Sequence, residues 1–160
     1  MRLWHYKLLP YLPDLQFKGQ LRELVAIMHD WRDKGTTNHL LINKVMEYDK
    51  AHLTSYFLRY RIEFQKRYHK EISYCDEFMS FADFMYGDDF TIDFATGKID
   101  SVRVKRDIFP DWHNKEYLRV CVCNLYEKYK FGVGKSKISQ EEWDRVLRGY
   151  KEITGEDWVL

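Results

Sequence analysis

The sequence lacks any hydrophobic run close to the roughly 20 residues that a membrane-spanning helix needs. Its opening residues also lack the apolar stretch of a signal peptide. It has only three cysteines, which cannot all pair with one another and are typical of a reducing compartment. Three prolines and eight glycines in 160 residues exclude a collagen-like or low-complexity chain. These absences predict a cytoplasmic protein that makes no contact with a membrane.

Motifs that would indicate a metal site or a common hydrolase are also absent. The six histidines form no His-Glu-x-x-His pattern, and Cys121 and Cys123 would point to different faces of a predicted helix. No phosphate-binding glycine loop and no Gly-x-Ser-x-Gly elbow is present. The acidic residues between 88 and 100 do not match a calcium loop, and surface turns explain them better. We therefore expect no metal site.

What the sequence does contain is the balance of a globular protein and a large supply of aromatic side chains. Hydrophobic residues make up 45% of the chain and charged residues 32%, which predicts one folded domain over residues 1–160. Aromatic residues make up 17%, and such rings can fill a core or stack on nucleobases. Composition alone leaves both uses open.

The net charge of +1 hides a division along the chain. Residues 1–74 have 13 lysines and arginines against 8 acids, whereas residues 75–100 have one against 7. Residues 101–160 have 12 against 10. A polyanion would be attracted to the first and last segments and repelled by the middle one. Chance imbalance between solvated surfaces is the alternative explanation.

Apolar spacing and capping residues predict a mainly α-helical fold. Leu40, Leu41 and Val45 are expected on one face of the second helix. Residues 88–106 alternate apolar and polar side chains, which predicts a loop with a small hairpin. The predicted helices cover residues 15–32, 37–47, 49–69, 76–86, 113–130 and 139–151, with Asp14 capping the first and Ser139 opening a capping box in the last.

Three stretches near the amino terminus stand out: Met1-Arg-Leu-Trp-His5, Leu12-Pro-Asp-Leu-Gln16 and Gly19-Gln-Leu-Arg-Glu23. Together they resemble the pyrimidine-dimer DNA glycosylase family, that is, the phage-type dimer-specific endonuclease V and its short bacterial members of unassigned role. Later segments, from residue 51 to 67 and from 109 to 128, are similar to two further helices of that family. The resemblance covers residues 1–74 and 109–131, whereas residues 75–106 and 135–160 look like additions.

The resemblance implies an all-α, single-domain bundle without metal or organic cofactor. It implies a DNA repair glycosylase and AP lyase that forms an imine through its N-terminal amine at damaged pyrimidines or abasic sites, releases the base and nicks the strand. Double-stranded DNA would be the partner and the protein a monomer. By matching positions, Glu23 is the catalytic carboxylate, Arg22 a phosphate or nucleotide contact, and Arg2 the arginine that follows the nucleophile.

The nucleophile is the α-amine of Met1 in this interpretation. An α-amine has a pKa of about 7.7–8.0, so roughly a tenth is neutral at pH 7, far more than for a lysine. The phage-type members have a small second residue and lose their methionine, whereas Arg2 is bulky and favours retention of Met1. An exposed Arg2 terminus is the other possibility. Ala26 replaces a further arginine of the phage-type pattern, which bears on dimer specificity more than on DNA binding.

Other functions remain open. Glu23 alone could be a solvated helix acid, and the chain could be a non-catalytic nucleic-acid-binding or interaction module on the same scaffold. The enzyme hypothesis expects the amino terminus within a few ångströms of the Glu23 carboxylate. It also expects Arg2 and Arg22 in one positive groove. Tyr126, Tyr129 and Phe131 are candidates for a stacking edge beside it, although core packing is the favoured alternative for all three.

Overall fold

The computed structural model describes residues 2–72 and 104–160, and this part of the chain is mainly helical, as predicted. None of these residues lies in a β-strand, and no described helix is both long and apolar enough to cross a membrane. The predicted helix over 76–86 and most of the predicted hairpin over 88–106 lie outside the described residues. The four α-helices are α1 (Asp14–Lys34), α2 (Lys50–Tyr68), α3 (Lys115–Phe131) and α4 (Gln140–Thr154), and the 3₁₀ helices are Tyr6–Tyr11, Ile42–Glu47 and Gly134–Ser136.

Several helix ends agree with the local signals in the sequence, although Asp14, the predicted cap of the first helix, is itself the first residue of α1. The α1 helix ends before Gly35, which adopts a positive φ of 69° that a glycine tolerates at a C-terminus. The Asp49 side chain accepts a hydrogen bond from the Ala51 backbone N–H at 2.9 Å and so caps α2. Ser139 and Glu142 form the predicted reciprocal capping box of α4.

The prediction of a helix over residues 37–47 is wrong, because only Ile42–Glu47 forms a short 3₁₀ helix. Thr37 donates from its backbone and its hydroxyl to Asn43 Oδ1, at 2.8 and 2.9 Å, and Asn43 Nδ2 donates back to the Thr37 carbonyl. These bonds compete with helical ones. Val45 is buried as expected, but Leu40 and Leu41 are 89% and 48% exposed.

The described residues group into two compact units. The first comprises residues 24–72 and 104–109, and its core includes the apolar stripe of α2 from Leu53 to Phe64. Arg61 of α2 is also buried there and forms an ion pair with Glu71 at 2.7 Å. The prediction of one domain for residues 1–160 stays a prediction.

The second unit comprises Arg2–Glu23 and Pro110–Leu160. Here α4 packs on the 3₁₀ helix Tyr6–Tyr11 and on α3. The Tyr11 hydroxyl donates to Glu152, and Arg145 donates to the Leu12 carbonyl at 3.1 Å. Gly149 is buried against Tyr11, so the helix that follows the family-like segments supports the beginning of the chain.

Gly149→Ala should destabilise the protein although alanine is the better helix former. A Cβ at Gly149 would meet the ring of Tyr11 and lie 2.8 Å from its Cβ. Overpacking of this kind costs about 1–3 kcal/mol, more than the about 1 kcal/mol gained in helix propensity. We expect a lower melting temperature by circular dichroism, by several degrees at most.

Gly19→Ala is the matched control, because a Cβ at Gly19 of α1 meets nothing within 4 Å. This variant should gain about 0.5–1 kcal/mol and melt a few degrees higher. If Gly149→Ala melted as high as Gly19→Ala, the close packing of Tyr11 on α4 would be contradicted.

Candidate active site

The first residues of the chain are held by one side chain of α1. Gln20 is fully buried, and its Oε1 accepts a hydrogen bond from the Trp4 backbone N–H at 2.9 Å. Its Nε2 donates to the Arg2 carbonyl at 3.0 Å. The Gln20 carboxamide therefore binds the backbone of Arg2 and of Trp4, the residues before and after Leu3.

Side chains of α3 hold the same segment from another direction. The Tyr117 hydroxyl donates to the Leu3 carbonyl at 2.7 Å, and the Arg2 guanidinium donates to Asn124 Oδ1 at 3.0 Å. Cys121 accepts from the His5 backbone N–H. Burial raises the pKa of the Cys121 thiol to about 11, so the sulfur is a neutral packing group and no nucleophile at pH 7.

Two buried histidines complete the attachment. His5 Nε2 donates to the His113 carbonyl at 2.7 Å, while its Nδ1 accepts from the Lys7 backbone N–H. His113 Nδ1 accepts from the Tyr6 backbone N–H at 3.2 Å. Burial lowers the pKa of His5 to about 4 and that of His113 well below its usual range, so both rings are neutral at pH 7.

Glu23 lies one helical turn after Gln20 and is half-buried. Its carboxylate accepts a hydrogen bond from the Arg2 backbone N–H, and Gln20 Nε2 lies 3.4 Å from its Oε2. Burial raises the pKa of Glu23, while the Arg2 N–H and the charges of Arg2 and Arg22 act in the opposite direction. A carboxyl group with a raised pKa exchanges protons closer to neutral pH than an ordinary glutamate does.

The structure thus brings together Arg2 and Glu23, two of the predicted site residues. Arg22 is exposed beside Glu23 and has no ion-pair partner within residues 2–72 and 104–160. Met1 lies outside the described residues. Sequence reasoning missed Gln20 and Asn124. Gln20 lies inside the motif that carries the resemblance, but a single glutamine on a helix has no periodicity or spacing that indicates a role.

The three candidate stacking residues near the end of α3 divide into two groups. Tyr126 and Tyr129 are half-buried and pack on Trp143, where the Tyr129 ring stacks at 5.4 Å with an interplanar angle of 10°. Phe131 is 79% exposed. Packing accounts for both tyrosines, and Phe131 stays a candidate for contact with a nucleobase.

No cluster of metal-ligating side chains lies among the described residues of the site. Among the residues that the structure describes, no group of three or more histidine, cysteine, aspartate or glutamate side chains could hold a metal ion. The groups that face Glu23 include the Arg2 backbone N–H and the nitrogen of the Gln20 carboxamide, which are hydrogen-bond donors, and the oxygen of that carboxamide accepts from the Trp4 N–H. The anion that these donors contact is the Glu23 carboxylate itself.

Comparison with protein-family models matches residues 1–75 to a family described as pyrimidine dimer DNA glycosylase. Residues 1–75, just under half of the chain, are therefore similar to this family. The matched residues include Arg2, Arg22 and Glu23, and the match supports a DNA repair glycosylase function at the level of the family, with DNA as the partner. No curated protein and no solved structure matches the chain. The similarity noted over residues 109–131 stays a prediction.

Glu23→Gln should stabilise the protein at neutral pH. A raised pKa means that the folded state binds the Glu23 proton more tightly than the unfolded state does. Ionised Glu23 therefore costs stability at pH 7, and the cost disappears once the pH falls below the pKa of the unfolded chain. We expect Glu23→Gln to melt a few degrees above the wild type at pH 7.5 and close to it at pH 4.

Thermal unfolding at the two pH values measures this difference. Glu127→Gln, at an exposed position of α3, controls for the loss of one negative charge. A lower melting temperature for Glu23→Gln at pH 7.5, or an equal gain at both pH values, would contradict the assigned environment of Glu23.

Proposed function

We propose that the protein is a DNA repair glycosylase with AP-lyase activity on damaged pyrimidines or abasic sites in double-stranded DNA, with the Met1 α-amine as nucleophile and Glu23 as catalytic carboxylate. The observation that carries this proposal is the hydrogen bond from the Arg2 backbone N–H to Glu23. Only three covalent bonds separate that nitrogen from the α-amino nitrogen of Met1, and their lengths sum to about 4.3 Å. Covalent geometry therefore limits the distance between amine and carboxylate, whatever conformation Met1 adopts.

The chemistry needs both groups at one sugar ring. The neutral α-amine attacks C1′ of the extruded nucleotide, and the glycosidic bond breaks with its electron pair leaving on the base. The nitrogen bound to C1′ then loses a proton, and the sugar ring opens as the C1′–O4′ electron pair goes to O4′, which takes up a proton. The iminium that results at C1′ carries a positive charge, which a carboxylate beside it stabilises. Glu23 then removes a proton from C2′, and the C3′–O bond breaks by β-elimination, which nicks the strand and leaves the sugar on the amine.

The arginines around Glu23 take different parts in this proposal. Arg22 is exposed beside the carboxylate and available to a phosphate of the DNA backbone. The Arg2 guanidinium donates to Asn124, and its Cζ lies 5.1 Å from the centre of the Trp4 ring. Arg2 therefore contributes positive charge from a fixed position, whereas Arg22 can adjust to the strand.

Blocking the α-amine should abolish covalent chemistry while DNA binding survives. Borohydride reduction converts an enzyme–DNA imine into a stable covalent product, so trapping with abasic duplex reports the amine directly. We expect at least a 10²-fold loss of trapping after N-terminal acetylation. Glu23→Gln should slow trapping and strand nicking about 10²–10⁴-fold, with duplex affinity nearly unchanged.

Mass spectrometry of the trapped peptide identifies the residue that forms the imine and separates Met1 from a processed Arg2 terminus. Full lyase activity after acetylation would refute the terminal-amine mechanism and direct attention to a lysine side chain. Salt-dependent DNA binding by the unmodified protein without any trapping would instead indicate the non-catalytic nucleic-acid-binding module.

Arg22→Gln should weaken duplex binding by removing one phosphate contact. Each contact releases about one counterion, so the slope of log K against log salt should become shallower by about one. Arg148→Gln, an exposed arginine of α4 outside the matched segment, is the control and should leave the slope unchanged. Equal slopes for the Arg22→Gln variant and the wild type, measured by fluorescence anisotropy between 50 and 200 mM salt, would exclude the Arg22 contact.

A further inference from the structure

Gln20 of α1 contacts both the beginning of the chain and the Glu23 carboxylate. Its Oε1 accepts from Trp4, and its Nε2 donates to the Arg2 carbonyl and lies 3.4 Å from Glu23 Oε2. A carboxamide has two N–H donors and one oxygen acceptor, and here each faces a partner. The side chain is fully buried, so water does not replace any of these partners.

We infer that Gln20 is a positioning residue of this site, which fixes the residues that follow the nucleophile against the carboxylate that assists it. The inference rests on the proposed function. The inference follows from the short path between the two groups, because one nitrogen, Gln20 Nε2, contacts both the Arg2 carbonyl and Glu23 Oε2. A shift of either group would break a part-buried hydrogen bond and leave an N–H of the buried Gln20 side chain without that partner, which costs free energy. The Arg2 backbone and the carboxylate are thereby kept at one separation, which limits how far the amine can move from Glu23 between attack at C1′ and proton removal at C2′.

The role requires an amide and is not satisfied by a carboxylate of the same size. Gln20→Glu keeps the oxygen that accepts from Trp4 but loses the donors to Arg2 and Glu23. It also places a second carboxylate beside Glu23, and repulsion between like charges raises the pKa of a neighbouring acid. Gln20→Met removes the donors without adding a charge.

The first measurement is independent of activity. The carboxyl carbon of Glu23 is titrated by ¹³C NMR in the wild type and in Gln20→Glu, and we expect the Glu23 titration to move to higher pH in the variant. Gln20→Met should give a smaller displacement in the same direction. Gln140→Glu, at an exposed position that starts α4, adds the same charge elsewhere and should leave the Glu23 titration where it is.

The second measurement is the single-turnover rate of borohydride trapping with abasic duplex as a function of pH. We expect about a 10²-fold lower rate in Gln20→Glu and Gln20→Met, with duplex Kd within twofold of the wild type, since misplacement by about an ångström costs a factor of this size. The acid limb of the rate profile for Gln20→Glu should move to higher pH together with the NMR titration. A role limited to general stability would lower the amount of folded protein and leave the profile of the folded fraction unchanged.

The two measurements distinguish a failure of the role of Gln20 from a failure of the proposed function. A Glu23 titration that is unmoved in both Gln20 variants, with normal trapping rates, overturns the role of Gln20. A wild-type protein that traps no abasic DNA at any pH overturns the proposed function, and with it the catalytic part of this inference. Far-UV circular dichroism confirms folding, and Gln20→Met keeps the inference testable if the added carboxylate prevents folding.

Discussion

A buried backbone without secondary structure must find a hydrogen-bond partner for each polar group, and residues 2–6 depend on this constraint. Leu3, Trp4, His5 and Tyr6 are at most 5% exposed, yet residues 2–5 lie in no helix. Side chains supply the partners instead. Gln20 binds the Arg2 carbonyl and the Trp4 N–H, Tyr117 binds the Leu3 carbonyl, and Cys121 and His113 bind the N–H groups of His5 and Tyr6. The path of the segment is therefore determined by side chains distant in sequence.

These partners share a second property, which is that they are neutral at pH 7. Burial lowers the pKa of His5 and His113 and raises the pKa of Cys121 and Tyr117. The charges that act on Glu23 therefore come from other groups, including Arg2 and Arg22, and not from the side chains that hold the segment. Because the effect of burial outweighs that of the favourable charges, the pKa of Glu23 is raised and its carboxyl group is protonated more easily than that of an ordinary glutamate. A group that costs stability in this way is typical of a functional site.

The features that the sequence predicted correctly are those that neighbouring residues determine, such as the ends of helices. The capping box at Ser139 defines the start of the last helix, and the structure confirms it. The predicted end of the first helix at residue 32 lies two residues before the observed end at Lys34. The failure at 37–47 arises from side-chain bonds between Thr37 and Asn43, which no periodicity reveals. Within the site, Glu23 came from the family resemblance, since a glutamate on a helix is otherwise unremarkable. The bonds of Arg2 to Asn124 and of Leu3 to Tyr117 join residues more than 110 positions apart, so only the folded chain shows them.

A terminal amine is an unusual nucleophile because chain termini are normally the least ordered part of a protein. Its pKa is favourable, but effective attack requires a fixed position, and ordering a chain segment costs conformational entropy. The hydrogen bonds to the backbone of residues 2–6 offset that cost in free energy. Several of them are made by side chains outside residues 1–75, namely those of His113, Tyr117 and Cys121. The α4 helix adds to them through Gly149 and Tyr11, which hold the 3₁₀ helix that follows. The family-matched segment therefore supplies Glu23 and Gln20, whereas the carboxy-terminal helices supply much of the rigidity that the proposed terminal amine requires.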